Sequence, residues 1–473
     1  MEGRLDRSKA RRLASTCVGV LAALACWPAA QAQAADLLAV YRLAIAHDPG
    51  HRAARKERDA IVEERDIGRA GLLPRISYQY QTSRSNAELS QPDLFGNAAT
   101  TNRSYSSYSS QLNLQQPVFD WRAISGYRQG VARADFAQAQ FMGREQELAV
   151  RVTQAYTDAL YAMDLLDLVQ AQRRAYREQL SANAHRLEAG EGTKTDMLET
   201  QARYDLTLAQ EVESQDALDA ALRELQGITG QAWQIGELAP LRREFQIQPL
   251  VPGAFGQWQA QAVRHNPELQ AMAHAIEAAG SEVEKARSGH LPKVALYASA
   301  GRNRSVSEST YDQRYVTNSV GVQIDIPLYA GGGVSADLRR AVDGQDKLRY
   351  ERDAKMAEVL NGLRKQFNLF NSSAAKIRAY ELAVASSREL VTAMKRSAAG
   401  GERVNADVLD AEQRYYEALR NLAQARYAYL QSWVKVKWYA GTLTEADMAT
   451  ASRYFQLREM GGAAGSNPGQ WAR

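Results

Sequence analysis

The chain has 473 residues, with 58 Lys+Arg against 54 Asp+Glu and a formal net charge of +4. At 45% hydrophobic and 24% charged, it is too apolar for a disordered chain. Most of the positive excess sits in the first 34 residues (Arg4, Arg7, Lys9, Arg11, Arg12), as do the only cysteines, Cys17 and Cys26, so the rest is excluded as a basic nucleic-acid binder, a disulfide framework or a Cys-ligated metal site.

Residues 1–12 are basic, Leu13 to Trp27 form an apolar run, and Ala30-Gln31-Ala32-Gln33-Ala34 alternates small residues. That order predicts a secretory signal peptide over 1–34, cleaved after Ala34 or Ala32. The run is short for a membrane anchor. Ala23, Leu24 and Ala25 fit a lipid-anchoring site at Cys26 poorly.

The remainder repeats. Ala44-Ile45-Ala46-His47-Asp48-Pro49 is echoed by Ala262-Val263-Arg264-His265-Asn266-Pro267, and Leu73-Pro74 by Leu291-Pro292, both 218 residues on. Gly190, Asp196, Leu198, Arg203 and Tyr204 match Gly401, Asp407, Leu409, Arg414 and Tyr415, 211 residues on. Two units are expected, 36–230 and 252–441, with a linker over 231–251 and a C-terminal tail over 442–473, Gly-rich from about 457.

Each unit opens with about 30 helical residues that end near its Leu-Pro, because the residue before proline avoids the helical region. Two extended segments follow. Ile76, Tyr78 and Tyr80 alternate with polar residues, as do Leu112 and Leu114; in the second unit Val294, Leu296, Ala298 and Ala300 alternate, then Val320, Val322, Ile324 and Ile326. Period two predicts strands with one apolar face. Residues 84–104 and 301–315, rich in Ser, Asn, Gly and Thr, read as loops, and Pro117 and Pro327 as the strand ends. Gly331-Gly332-Gly333 lacks the Lys-Ser/Thr of a phosphate loop and fits a flexible joint.

From about Val118 to Leu187 there is no proline. Leu148, Val152, Ala155, Ala159, Ala162, Leu166 and Val169 follow heptad spacing, as do Leu363, Phe367, Phe370, Ala374 and Ile377 in the second unit. A helix of about 70 residues would be on the order of 100 Å long. Glycines break it at Gly190 and Gly192, and at Gly400 and Gly401, and a second helix returns over 193–225 and 404–439.

Strands of this length suit a bilayer crossing of ~9–11 residues. Spanning strands must close into a barrel, and four are too few, so protomers would pool them. Tyr78, Tyr80, Tyr105, Tyr108 and Tyr297 suit the aromatic belts of such a barrel. The competing reading is a small soluble sheet packed on helices. The long helices would form either an exposed coiled coil or a wall around a channel, with the alanine stripe as plain packing.

The layout resembles the outer-membrane channel-tunnel family typified by TolC, over residues 36–450. The most specific stretch is Gly401-Glu402-Arg403-Val404-Asn405-Ala406-Asp407-Val408-Leu409-Asp410-Ala411, followed by Arg414-Tyr415-Tyr416, Ala425-Arg426-Tyr427-Ala428-Tyr429-Leu430 and Gly441-Thr442-Leu443. The resemblance implies a mainly α fold with a membrane β-barrel portion: a homotrimer forming a twelve-stranded barrel above a twelve-helix tunnel, in the Gram-negative outer membrane and its lipid. It implies a periplasmic adaptor (membrane fusion) protein and an inner-membrane pump as partners. Asp407 and Asp410 match the acidic ring at the periplasmic entrance, and Arg403 and Asp196 match polar links that hold it shut. Gly190, Glu191, Gly401 and Glu402 match the adaptor-docking turns. There the family archetype carries apolar flanks and this chain carries acids, so a different adaptor is expected.

Asp407 and Asp410 also have a plainer reading, as acids favoured by a helix start. Arg403 and Asp196 could be ordinary solvated charges. His47 and His265 read as turn residues rather than metal ligands. With no Ser/His/Asp arrangement, no enzyme, cofactor or nucleic-acid partner is expected. The leading function is an exit duct for type I secretion, fed by an inner-membrane ABC exporter and passing a protein substrate such as an RTX-type toxin. Drug efflux is the alternative within that class, and a non-conducting periplasmic scaffold is the alternative outside it.

Overall fold

The computed structural model describes residues 34–92, 95–242, 244–307 and 310–456. The expected signal peptide and the Gly-rich end of the tail lie outside the described residues, save Ala34.

The first helical segment is three helices, α1 (Leu37–His47), α2 (Pro49–Val62) and α3 (Glu64–Ala70). The break is chemical: Pro49 cannot continue α1, and Asp48 turns to cap α2 by accepting from the His51 backbone N–H at 2.6 Å. The second unit breaks at the same place. Asn266 caps α7 (Pro267–Arg287) after α6 (Phe255–His265), accepting from the N–H groups of Glu268 and Leu269. Both His-Asp/Asn-Pro signals are therefore helix corners.

The long helices are α4 (Trp121–Glu188, 68 residues) and α8 (Gly333–Ala399, 67 residues), each on the order of 100 Å. Their returns are α5 (Lys194–Thr229) and α9 (Asn405–Tyr439), and α10 (Glu445–Ser452) follows. The heptad residues of α4, from Leu148 to Val169, are all buried, as are Leu363, Phe370 and Ile377 of α8. Short and return helices share the flanks of the long ones. Near its start α4 touches α3, where Gly68 meets the Tyr127 backbone, and α7, where Gln129 donates to Glu282 at 2.8 Å. Lower down it packs on α5 (Ala162 and Leu166 with Leu218) and on α9 (Tyr427 donating to Asp164 at 2.6 Å). On α8, Lys355 pairs with Glu268 of α7, and Lys395 with Glu412 of α9. The protomer is thus a slab of four helical columns. The column of α2, α3 and α5 forms one edge and α8 the other.

That α8 edge is unsatisfied. Only five of its residues are fully buried, against 24 in the almost equally long α4. Val342, Tyr350, Leu369 and Leu382 of α8 are exposed, as are Leu198, Leu206 and Val212 of α5 on the opposite edge. The core lies at mid-height, where α1, α6, α10 and residues 230–242 and 244–254 wrap the long helices. Tyr156, Trp258, Phe370 and Tyr429 are its most deeply buried rings.

The strands β1 (Arg75–Pro92), β2 (Ala98–Phe119), β3 (Lys293–Arg304) and β4 (Arg314–Asp325) form one antiparallel sheet in chain order, with β1 and β4 at its edges. Two expectations need correction. The stretch 84–104 is mostly strand, not loop: β1 and β2 stay paired as far as Pro92 opposite Ala98. The apolar alternation stops there, but backbone pairing does not need it. And β2 runs past Pro117 to Phe119. The register shifts between those two residues, which accommodates a proline that cannot donate to the ladder.

The register places Ile76, Tyr78, Leu112, Leu114, Leu296, Val320, Val322 and Ile324 on one face, and Ser77, Gln79, Asn113, Gln115, Ser299 and Gln323 on the other. The apolar face lies open, with Ile76, Leu112, Val320, Val322 and Ile324 exposed. This is the reverse of a small soluble sheet, which would bury that face. Among the described residues no helix is long and apolar enough to cross a membrane.

A half-buried acid ties α4 to α9. Desolvation pushes the Asp164 carboxyl from 3.8 to about 7, against the lowering effect of the Tyr427 hydroxyl. An acid whose folded pKa lies above its unfolded value loses folding stability as pH rises between the two, so the penalty is absent below pH ~4, grows from about 4 to about 7 and is constant above that. The protein is expected to melt higher at pH 5 than at pH 8, and Asp164→Asn, which still accepts from Tyr427, should flatten that profile. A thermal-melt series in detergent checks it; an unchanged slope in the variant would place the pH effect elsewhere.

Candidate functional site

The end of the slab remote from the sheet carries two helical turns. In each, a glycine adopts positive φ, 75° at Gly190 and 77° at Gly401. The next residue then bonds back five positions: Glu191 N–H to the Arg186 carbonyl and Glu402 N–H to the Ser397 carbonyl, both at 2.9 Å. This six-to-one closure satisfies the last carbonyls of the long helices and needs a residue free to turn left-handed. A Cβ on either glycine would meet nothing within 4 Å, so the constraint is conformation, not space. Glu191 and Glu402 stand exposed beside them.

Asp196, Arg403, Asp407 and Asp410 all lie within the first two turns of a return helix or just before it. Within one protomer, Asp196 and Arg403 are not each other's partners. Asp196 belongs to the start of α5: its N–H donates to the Thr193 Oγ1 at 3.1 Å, and the Thr193 hydroxyl bonds its carboxylate at 2.5 Å. The Arg403 Nη1 lies 3.6 Å from the Asp407 Oδ2, one turn along. Asp410 looks across to the other hairpin, where the Arg203 Nη2 of α5 donates to its Oδ1 at 2.9 Å. The same guanidinium donates to the Gln413 Oε1.

Above the tips lies a buried amide node that sequence reasoning missed. The Asn183 Nδ2 of α4 donates to the Thr200 Oγ1 of α5 at 2.9 Å and to the Asn405 Oδ1 of α9 at 3.1 Å. The Asn405 Nδ2 donates to the same Thr200 oxygen at 3.0 Å, and Gln179 donates to Asn405 at 3.0 Å. Asn183 and Thr200 are 4% and 0% exposed, so these bonds form away from competing water. A signal was present. Counting on from Val169 by the heptad rule lands on Tyr176 and Asn183, and a polar residue on such a seam fixes register.

Among the described residues no group of three or more His, Asp or Glu side chains is placed to hold a metal ion. What the arrangement offers is charge and polar contact between the tips of the two hairpins.

The sequence profile of the outer membrane efflux protein family matches residues 40–231 and again 258–442. The chain belongs to this family. It is 47% identical over 422 residues to the alkaline protease secretion protein AprF of Pseudomonas aeruginosa, covering 89% of this chain and 88% of that one. It is 43% identical over 426 residues to the proteases secretion protein PrtF of Dickeya chrysanthemi, covering 90% and 92%. To the outer membrane protein TolC of Escherichia coli it is 30% identical over 429 residues, covering 88% and 84%. Protein CyaE of Bordetella pertussis is a more distant relative, 27% identical over 271 residues, covering 53% and 56%. A solved membrane protein from Pseudomonas aeruginosa superposes with a TM-score of 0.76 at 17% identity, covering 87% of this chain and 91% of that one. The fold is that of the outer-membrane channels, and the protein is an outer-membrane protein of the Gram-negative type.

Proposed function

We propose that the chain is the exit duct of a type I secretion system whose cargo is a secreted protease. The observation that carries this is the full-length similarity to two relatives named for protease secretion, at 47% and 43% identity. A protease takes the place of the RTX-type toxin expected from the sequence, because both of these relatives are named for protease secretion.

The duct would be a homotrimer. Its sheet ends in two edge strands that run antiparallel, so β4 of one copy can pair with β1 of the next, and three copies make twelve strands. The exposed apolar residues of α5 and α8 support the same closure of the helical wall. Residues 36–230 and 252–441 are read as two copies of one unit, joined by 231–251. Around the axis, Asp407 and Asp410 would supply an acidic ring at the periplasmic entrance. The protomer leaves Arg403 and Asp196 free of each other, so a link between them would run from one copy to its neighbour. The turns at Gly190-Glu191 and Gly401-Glu402 would dock a periplasmic adaptor, which connects to an inner-membrane ABC exporter.

Deletion of the gene, followed by assay of protease in the culture supernatant, tests the reading. Extracellular protease should vanish while the cell-associated enzyme persists, and the wild-type gene should restore it. Unchanged protease export with heightened drug sensitivity would favour the efflux reading, which TolC-type relatives keep open.

A further inference from the structure

Arg203 recurs in both units of the sequence but has no place in the family resemblance. In the structure it bridges two acceptors on the opposite hairpin, Asp410 and Gln413. Its side chain is 30% exposed and that of Asp410 is 55% exposed, so the pair alone is a weak link. It is not alone. The Asn183–Thr200–Asn405 node sits about one turn towards the tip and joins the same two return helices to α4. Polar side chains therefore join α5 to α9 at two levels, and the clasp is the ion pair at the upper one.

The clasp has an electrostatic consequence. Asp407 has Arg403 at 3.6 Å, and Asp410 has Arg203 at 2.9 Å. Each carboxylate of the supposed ring is thus compensated by a cation of its own protomer. We propose that Arg203 is a selectivity-determining residue of the entrance: it latches the second hairpin to the first and masks Asp410, so that release of the latch both opens the tunnel and uncovers its negative charge. A resting duct then has Asp410 masked by Arg203, and an opened one attracts cations more strongly. The proposal rests on the reading that Asp407 and Asp410 line the entrance.

Planar-bilayer recording of the purified full-length oligomer in a KCl gradient tests it. Arg203→Gln should raise conductance severalfold and shift the reversal potential further towards that of potassium. Arg203→Gln/Asp410→Asn should keep the high conductance and lose the added cation preference. The exchanged pair, Arg203→Asp/Asp410→Arg, should return conductance to the wild-type level, which a merely structural role for Arg203 would not do. A heat-modifiable oligomer on gels checks that every variant is assembled. Assembled Arg203→Gln with wild-type conductance and reversal potential overturns the proposal. In that case Asp407→Ala/Asp410→Ala separates the two claims. A weakened cation preference there leaves the acidic ring standing without the clasp, and no change removes the ring as well.

Discussion

Val322→Arg is expected to abolish the heat-resistant oligomer in the outer membrane, whereas Gln323→Arg, one residue along, should leave it assembled. The two positions differ only in face. Val322 pairs with Leu296 on the open apolar side of the sheet, and Gln323 pairs with Ala295 on the polar side. On a lipid-facing strand position near mid-bilayer an arginine costs about 2–4 kcal/mol, falling towards zero at the interfaces. A trimer would carry that cost three times. On the inner side the same arginine meets water. Separation of outer membranes and a gel with heated and unheated samples would show the difference. If both variants assemble equally, the apolar face does not meet lipid, and the four strands serve some other contact. The pair of substitutions thus tests the membrane placement of the sheet directly, without relying on transport.

The helical half was open to reading because helix packing writes itself into local spacing. Every heptad residue quoted for α4 is buried, and the predicted returns begin and end within a few residues of α5 and α9. The strands were half open. Their apolar alternation marks the band whose apolar face lies open, but β1 and β2 continue through Ser, Thr and Asn, where the ladder is held by backbone bonds and no face needs to be apolar. The entrance was least open. The reading of Asp407 and Asp410 as entrance residues comes only from a family motif, and their partners within the chain differ in kind. Arg403 is local, one helical turn away, whereas Arg203 is 207 residues distant in the chain. Nothing in charge patterning identifies such a pair, because an exposed arginine on a helix is the commonest of surface residues. The amide node lay between these cases: Asn183 stood on the heptad seam, but its partners Thr200 and Asn405 belong to two other helices.

Gly441→Ala is expected to prevent assembly altogether, although Gly401→Ala should be tolerated at a modest cost. Both glycines hold positive φ, 71° and 77°, at the C-terminal end of a helix or just beyond it. A left-handed alanine costs roughly 1–2 kcal/mol at either. Their surroundings set them apart. At Gly401 an added Cβ meets nothing within 4 Å. At Gly441 it would stand 2.2 Å from the His265 carbonyl oxygen and 2.6 Å from the Asn266 Cα, both backbone atoms at the corner between α6 and α7. That corner is pinned from the other side, where the Asn266 Nδ2 donates to the Tyr439 carbonyl at 3.0 Å, and the chain beyond runs into buried Leu443. Relief would require the end of α9 to part from α7, opening the mid-height core. Asparagine tolerates the left-handed region better than alanine, so Gly441→Asn separates the causes. If strain dominated, Asn would rescue assembly; with the clash dominant, Asn fails as alanine does. Oligomer yield after outer-membrane extraction reads the result, and a well-assembled Gly441→Asn variant would show that the α9 end can yield where the packing says it cannot.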